Sequence, residues 1–463
     1  MKYIALDLGT SFVKGAVLDV EQLQIQDVQL VEMPKAVVDG GEVEYVLDFD
    51  RFYPLVEELV RRFVSQYASQ IAGILISTQM HGIIVADADG NARTPYISWL
   101  DNRCLLETPE GGSYLQRLEH MIPREKMKGH GVYLKACMGM CNLYAAQQRG
   151  QYLCRKGDVI CTIGSLVIKR LTGQYACHKT NAAPIGLYDI QKDGWNEELK
   201  EQLGFGVCDT PKAIGEYEIA GYYHADWGEI PVYPDLGDQQ VAVIGSMMKA
   251  VTEVNFNIAT GAQIAYIADR FTQGNFEVRP FLEGLYLNTV TRMPGGRTFD
   301  VLLGFLMEVG RCIYGVTLSK RELWDKITQE VAGVKSNSLE VNIGFYKDSL
   351  GTSEGSIRNI NPYNLTIGNL FDGAYRQAAD IFASYYHELI PDDARVEQIV
   401  FTGGVAQKDA MLRKLISERV RLPYSLAPAK DEVFLGHLRI ALVCAGKCKN
   451  LKDTETMVRR SLA

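Results

Sequence analysis

The sequence has no basic excess. Its 463 residues carry 48 basic against 56 acidic side chains, a formal net charge of -8. That excludes the electropositive footprint of a nucleic-acid binder and a polybasic membrane anchor. Long apolar runs are also missing: the stretch from Val433 to Ala445 is interrupted by His437 and Arg439, so it reads as a helix facing a core rather than a span. Asp7 breaks the apolar start too early for a secretory leader, and the expectation is a cytoplasmic protein. The usual phosphate-binding signatures are absent. No Gly-x-x-x-x-Gly-Lys-Ser/Thr occurs, and no Gly-x-Gly-x-x-Gly follows the first strand, which leaves a Rossmann cofactor site unsupported. A His-Glu-x-x-His zinc signature is absent too. The ten cysteines include Cys137/Cys141 and Cys444/Cys448 at helical spacing. Neither pair has the second pair or matching histidines that a zinc site needs, so they read as buried free thiols.

What is present belongs to a folded chain of more than one domain. Hydrophobic residues make up 47% and charged residues 22%, near the average for globular proteins, and the length favours two large domains. Tyr3 to Leu6 and Phe12 to Leu18 read as strands joined by the small-residue turn Asp7-Leu8-Gly9-Thr10-Ser11. Apolar spacing predicts a helix over Phe52 to Ser69. Ile71 to Ile76 reads as a buried strand leading into Gln79-Met80-His81-Gly82, and Ile83 to Ala86 as a strand running into a hairpin at Asp89-Gly90-Asn91. The middle of the chain, to about residue 220, reads as helical with long loops. Alternation of strands and helices indicates an α/β fold.

A faint internal repeat appears at an offset of 250 residues. Asp7-Leu8-Gly9-Thr10-Ser11 falls on Asn257-Ile258-Ala259-Thr260-Gly261, Val17 on Ile267 and Asp19 on Asp269. Two halves that each open with a hairpin suggest two facing domains with a cleft between them, divided near residues 246 to 252. A third turn, Thr402-Gly403-Gly404-Val405, follows the strand Val396 to Phe401 and precedes a helix over Lys408 to Arg419. A strand, a double glycine and a helix N-terminus let backbone approach an anionic ligand.

Four groups of residues have the chemistry of a site. Asp7 at a strand end, with Thr10, Ser11 and Lys14 after it, suits phosphate and a hydrated Mg²⁺; an ordinary Asp-stabilised hairpin would look the same. Asp238 precedes the apolar helix Val241 to Met248, where it serves either as an N-cap or as a general base toward an alcohol. Gln79 and His81 offer hydrogen bonds to a polyhydroxylated ligand, though His81 also fits a satisfied core histidine. Trp99 adds an apolar face, and Asp101 and Arg103 hydrogen-bonding groups, unless the last two are a surface ion pair of little weight.

In their order along the chain, these motifs resemble the FGGY carbohydrate kinases over nearly the whole sequence. The sedoheptulokinase branch is most similar, through Leu236-Gly237-Asp238-x-Gln240, Asn257 to Gln263 and Arg279-Pro280-Phe281 through Asn288; xylulokinases share the Gln-Met-His-Gly segment. The resemblance implies two ribonuclease-H-like domains of the actin–hexokinase type facing a cleft, at 1–248 and 249–463. It implies ATP-dependent phosphorylation of a ketose, with Asp238 as base and Asp7 on the Mg²⁺ side. Thr10, Ser11, Lys14, Thr260, Gly261, Gly296, Gly403, Gly404 and Val405 would hold the nucleotide. Met80, His81, Trp99, Asp101, Arg103, Asp238 and Gln239 would line the sugar site. Two features depart from the family pattern: Ala259-Thr260-Gly261 lacks one hydroxyl of the usual Gly-Thr-Ser turn, and the segment Leu134 to Tyr144 is divergent. Met80-His81 stands where glycerol kinases carry Arg-Glu, which disfavours glycerol. The competing expectations are a nucleotide-gated binding protein without transfer and a sugar sensor without ATP; intact Asp238 opposes the first, and the intact phosphate turns oppose the second.

Overall fold

The computed structural model describes residues 1–39, 43–346, 353–428 and 431–462. The first half builds a six-stranded sheet from β1 (Lys2–Leu8), β2 (Phe12–Asp19), β3 (Gln24–Glu32), β4 (Ile71–Thr78), β5 (Gly221–Ala225) and β6 (Gly228–Gly237), in the order β5-β6-β4-β1-β2-β3. The second half repeats the plan with β7 (Glu253–Ile258), β8 (Ala262–Ala268), β9 (Glu277–Pro280), β10 (Tyr286–Met293), β11 (Gln398–Thr402) and β12 (Tyr424–Leu426), in the order β9-β10-β8-β7-β11-β12. In each sheet the opening hairpin is antiparallel, and the first strand pairs in parallel with a later one, β4 or β11. The repeat seen in the sequence is therefore a repeat of structure. The turn of the second hairpin is one residue shorter, so Val17 opposes Ile4 while Tyr266, not Ile267, opposes Val254.

β1 is buried along its whole length, as a strand covered on both faces must be. Ile4 and Leu6 face α1 (Phe49–Tyr67), which forms because Asp48 caps Asp50 N–H and because Phe49, Phe52, Tyr53, Val56, Leu59, Val60, Phe63 and Val64 follow helical spacing. α2 (Ile163–Thr172) packs into the same core. Tyr3 and Ala5 point the other way, toward the second sheet. Between the sheets lie α3 (Asp238–Gly245) and, beyond α4 (Gly296–Tyr314), α5 (Ile367–Leu389), α6 (Gly404–Lys408) and α7 (Ala410–Val420), a late helix α8 (Glu432–Cys444). α3 and α8 cross at glycines. A Cβ on Gly245 would lie 1.6 Å from the Glu432 carbonyl oxygen, and one on Gly436 would lie 2.0 Å from the Val241 carbonyl oxygen, so no other residue permits this approach.

Several local expectations are refined. The Asp89-Gly90-Asn91 turn forms with an antiparallel bridge from Ala86 to Ala92 across it, and Ile84–Ala86 also pairs with the distant Val159–Cys161. The helix expected over Lys408 to Arg419 forms as α7, capped by Asp409 through Leu412 N–H at 2.9 Å, and the separate short α6 at the double glycine is the addition. The N-cap of α3 is Gly237, with Asp238 in the first turn. All ten cysteines are free. Among the described residues no helix is long and apolar enough to cross a membrane, and no group of three or more metal-ligating side chains gathers.

Candidate active site

The ends of β1, β4 and β6 converge. Asp7 is the penultimate residue of β1, the Gln79-Met80-His81-Gly82 segment leaves β4, and Asp238 opens α3 directly after β6. Asp7 is buried; Lys14 Nζ lies 3.4 Å from one carboxylate oxygen and Ser77 Oγ donates to the other at 3.0 Å. Ser77 is backed in turn by His437 Nε2 at 3.0 Å. Burial raises the Asp7 carboxyl above its usual range, with Lys14 and Ser77 opposing.

Asp238 is the group best poised to move a proton. Burial and the nearby Asp7 charge push its carboxyl up to about 7, against the Gln239 N–H, which donates at 2.7 Å, and the more distant cations Arg279 and Lys14. Asp235 is raised to about 7 as well, yet it is fully enclosed and accepts from Thr162 Oγ1 (2.6 Å), Asn181 Nδ2 (3.1 Å) and His178 N–H (3.2 Å). Its oxygens are spent on structure. Of these two carboxyls, Asp238 is the one with partial exposure.

Each residue of the Gln-Met-His-Gly segment has a physical assignment. Gln79 Nε2 donates to the Gly9 carbonyl at 3.2 Å and its Oε1 accepts from Thr10, which fastens the turn of the first hairpin to the end of β4. Met80 Sδ packs where a Cβ on Gly237 would come within 3.0 Å. His81 adopts φ 68, unusual for a residue with a side chain. It is held there by Nδ1 to the Pro184 carbonyl and by Arg279 at Nε2, both 3.0 Å. Burial and the cations Lys135 and Arg279 keep the imidazole neutral. Nδ1–H therefore donates to Pro184 and Nε2 accepts from Arg279. A Cβ on Gly82 would meet Tyr96 Oη at 1.9 Å, and that buried hydroxyl has no hydrogen-bond partner.

Trp99 sits against the turn of the first hairpin, its indole N–H donating to Thr10 Oγ1 at 2.9 Å. Asp101 and Arg103 are buried, not a surface pair. Arg103 binds Asp101 through Nε at 2.9 Å and Nη2 at 2.7 Å, Gln151 through Nη1 at 3.0 Å, and lies 3.5 Å from Glu44. Asp101 also accepts from Tyr45 N–H at 2.7 Å. Both side chains are saturated by protein partners, so they brace the loop that carries Trp99.

On the opposite wall, Thr260 and Gly261 form an exposed turn. Gly296 N–H and Arg297 N–H donate to the Ala259 and Thr260 carbonyls at 2.8 and 3.0 Å, which sets the start of α4 beside that turn. A Cβ on Gly296 would meet Val405 at 2.9 Å, and one on Gly403, at φ 86, would meet the Ile258 carbonyl at 2.5 Å. The second hairpin, α4 and the Gly403-Gly404-Val405 turn thus form one surface of bare backbone. Ser11 and Gly404 are exposed. Glu432 accepts from the Gly403 N–H and lies within the field of Lys14, which links this surface to the first hairpin.

Sequence reasoning missed four residues of this region: Arg279, Glu277, Lys135 and Tyr96. Two carried a signal. Arg279 is a charge amid the apolar Val278 and Pro280-Phe281, and Lys135 lies in the divergent segment.

Two six-stranded sheets on one repeated plan, with the Asp238 carboxyl raised at the start of α3, make up the fold of the sugar kinases. The crystal structure of a ligand-bound xylulose kinase from Lactobacillus acidophilus has the same fold, with a TM-score of 0.83 at 17% identity, covering 97% of this chain and 90% of that one. Residues 2–245 match the N-terminal domain of the FGGY family of carbohydrate kinases. The chain belongs to that family and is a carbohydrate kinase. Similar proteins include mouse sedoheptulokinase, 22% identical over 93% of this chain and 95% of the relative, and a glycerol kinase of Thermococcus gammatolerans, 26% identical over 56% of this chain and 53% of the relative. ATP is the phosphoryl donor that membership implies.

Proposed function

We propose that this kinase phosphorylates the terminal hydroxyl of a ketose, sedoheptulose in first place and D-xylulose in second. The similarity to a sedoheptulokinase along almost the full length of both chains supports the first sugar. The single observation that carries the mechanism is Asp238, whose carboxyl is raised to about 7 while Asp235 beside it is locked in hydrogen bonds.

Asp238 orients the hydroxyl and accepts its proton as the oxygen attacks the terminal phosphorus of ATP. A base with a pKa near 7 is half ionised at neutral pH and still strong enough to accept a proton. Lys14, Thr10 and Ser11 from one half, and Thr260, Gly261 and the α4 start at Gly296 from the other, neutralise and orient the phosphates; Gly403, Gly404 and Val405 seat the nucleoside side. Met80, His81, Trp99 and Gln239 bound the sugar, with Asp101 and Arg103 behind Trp99. The residues fit Mg²⁺: Asp7 is a buried carboxylate with only Lys14 and Ser77 on it, and a nucleotide-bound Mg²⁺ takes one or two carboxylates and keeps waters. Asp7 would hold the ion through water, where it supplies charge neutralisation at the transferring phosphoryl group. Residues 1–248 and 249–463 are proposed as the two bodies that close over the substrates and exclude water. The acidic net charge and the absence of a spanning helix among the described residues are in keeping with a cytoplasmic enzyme.

The test is an ADP-release assay with Mg-ATP against sedoheptulose, D-xylulose, D-ribulose, L-ribulose, D-fructose and glycerol. Turnover concentrated on sedoheptulose is expected. Preference for a five-carbon ketose replaces the first sugar by the second, and ATP binding without turnover of any ketose overturns the proposal.

A further inference from the structure

Arg279 belongs to the second half, at β9, yet its side chain ends among sugar-side groups of the first half. It is nearly inaccessible, 4% exposed. Nη1 donates to Gln239 Oε1 at 2.5 Å, Nη2 to His81 Nε2 at 3.0 Å, and Met80 Sδ lies 3.7 Å from Nη1. The other side of the guanidinium is fixed. Nε and Nη2 donate to Glu277 Oε2 at 3.0 and 2.7 Å, and Glu277 Oε1 takes Lys135. Lys135 and Arg279 hold the Glu277 carboxyl well below its usual range. The segment that carries Lys135 is pinned at two further points, to β9 by Val278 N–H on the Gly131 carbonyl at 2.8 Å and just before β9 by Tyr133 Oη on the Gly274 carbonyl at 3.2 Å.

This arrangement has a chemical peculiarity. His81 Nε2 and Gln239 Oε1 are both acceptors, and both are turned to one planar donor fork. A hydroxyl is donor and acceptor at once. Placed between Arg279 and His81, it accepts from the guanidinium and donates to the imidazole, so both keep a partner. An ammonium or an apolar group in place of the guanidinium satisfies only part of this. Gln239 is also the residue whose N–H holds Asp238, so the same contact reaches the base.

We propose that Arg279 is a sugar-recognition residue supplied by the second half. It ties the halves together through His81 and Gln239 when the site is empty, and hands its guanidinium N–H donors to neighbouring sugar hydroxyls when substrate enters. Lys135 and Glu277 are its positioning residues. This inference rests on the functional reading above and adds to it the group that couples sugar binding to closure. A site built around a hydroxyl rejects ligands that leave its polar groups unpaired.

The experiment compares Arg279→Met, Arg279→Lys and Arg279→Ala with wild type on the best ketose of the panel. Arg279→Met is expected to raise the sugar KM by ~10²-fold with the ATP KM within about twofold. Arg279→Lys keeps the charge but not the fork and stays at least about tenfold impaired. Added guanidinium ion is expected to restore part of the activity of Arg279→Ala, a response that a merely structural role does not give. An unchanged sugar KM, or sugar and ATP KM rising together without guanidinium rescue, overturns the proposal. If wild type turns over no sugar, the functional reading fails. The tie between the halves is then decided by hydrogen exchange in the ligand-free proteins: faster exchange at 79–83 and 237–241 in Arg279→Met supports it, and unchanged exchange overturns it.

Discussion

Replacing Asp238 by asparagine should weaken the enzyme and strengthen the fold at once. The carboxyl stands at about 7 in the folded protein against an ordinary value of 3.8. Above about pH 7 it is ionised in both states, and the folded state bears the cost of a charge placed in a desolvated site beside Asp7. Between about 4 and 7 the folded state binds the proton that the unfolded state has lost, so the cost grows as pH rises and is complete above 7. At about 1.4 kcal/mol per pH unit the ceiling is about 4 kcal/mol. Asparagine keeps an acceptor for Gln239 N–H but leaves the carboxylate's charge out, and since Lys14 and Arg279 lose an attraction, a net gain of about 1–2 kcal/mol is expected. In thermal melts this is a rise of about 2–5 °C at pH 8, shrinking steadily toward pH 5. Turnover falls by about 10²- to 10⁴-fold, the scale of a lost general base, while ATP affinity is retained. A variant that melts lower than wild type at pH 8, or turns over at the wild-type rate, refutes the reasoning.

Three further outcomes follow from the geometry. The sugar kcat/KM of the wild type should fall about tenfold per unit as pH drops below about 7, because the base must be ionised; a profile flat from pH 5.5 to 8 argues against Asp238. Gly436→Ala places a methyl 2.0 Å from the Val241 carbonyl oxygen, so α3 and α8 must separate, with a loss of about 1–3 kcal/mol in denaturant unfolding; wild-type stability would show that the crossing is loose. Arg103→Met strands the buried Asp101 and should destabilise by about 3–5 kcal/mol, and a fully folded, wild-type-stable Arg103→Met with a raised sugar KM would return Arg103 to the sugar itself.

The architecture was legible because it rests on buried strands. The two opening hairpins repeat in sequence since each must bury both faces of its first strand, and each keeps small residues in its turn. The register slip that replaces Ile267 by Tyr266 was not legible, since it follows from one residue fewer in a turn. At the site, what could be read was local: Asp7 with its turn, the Gln-Met-His-Gly segment, Asp238 at a helix start. What could not be read was tertiary. Asp101 and Arg103, two residues apart, give no sign of lying beneath Glu44 and Gln151. Trp99 gives none of reaching Thr10. Arg279 enters the sugar region from a strand almost two hundred residues after His81, and only the meeting of the two sheets puts them 3.0 Å apart.

The most direct test is to incubate the protein with Mg-ATP and sedoheptulose and follow the phosphorus by ³¹P NMR, with Asp238→Asn beside it. The account predicts a new phosphate-monoester signal on the sugar's terminal carbon, growing in step with ADP and absent with the variant. Inorganic phosphate accumulating with no monoester on sedoheptulose or any other ketose would contradict it.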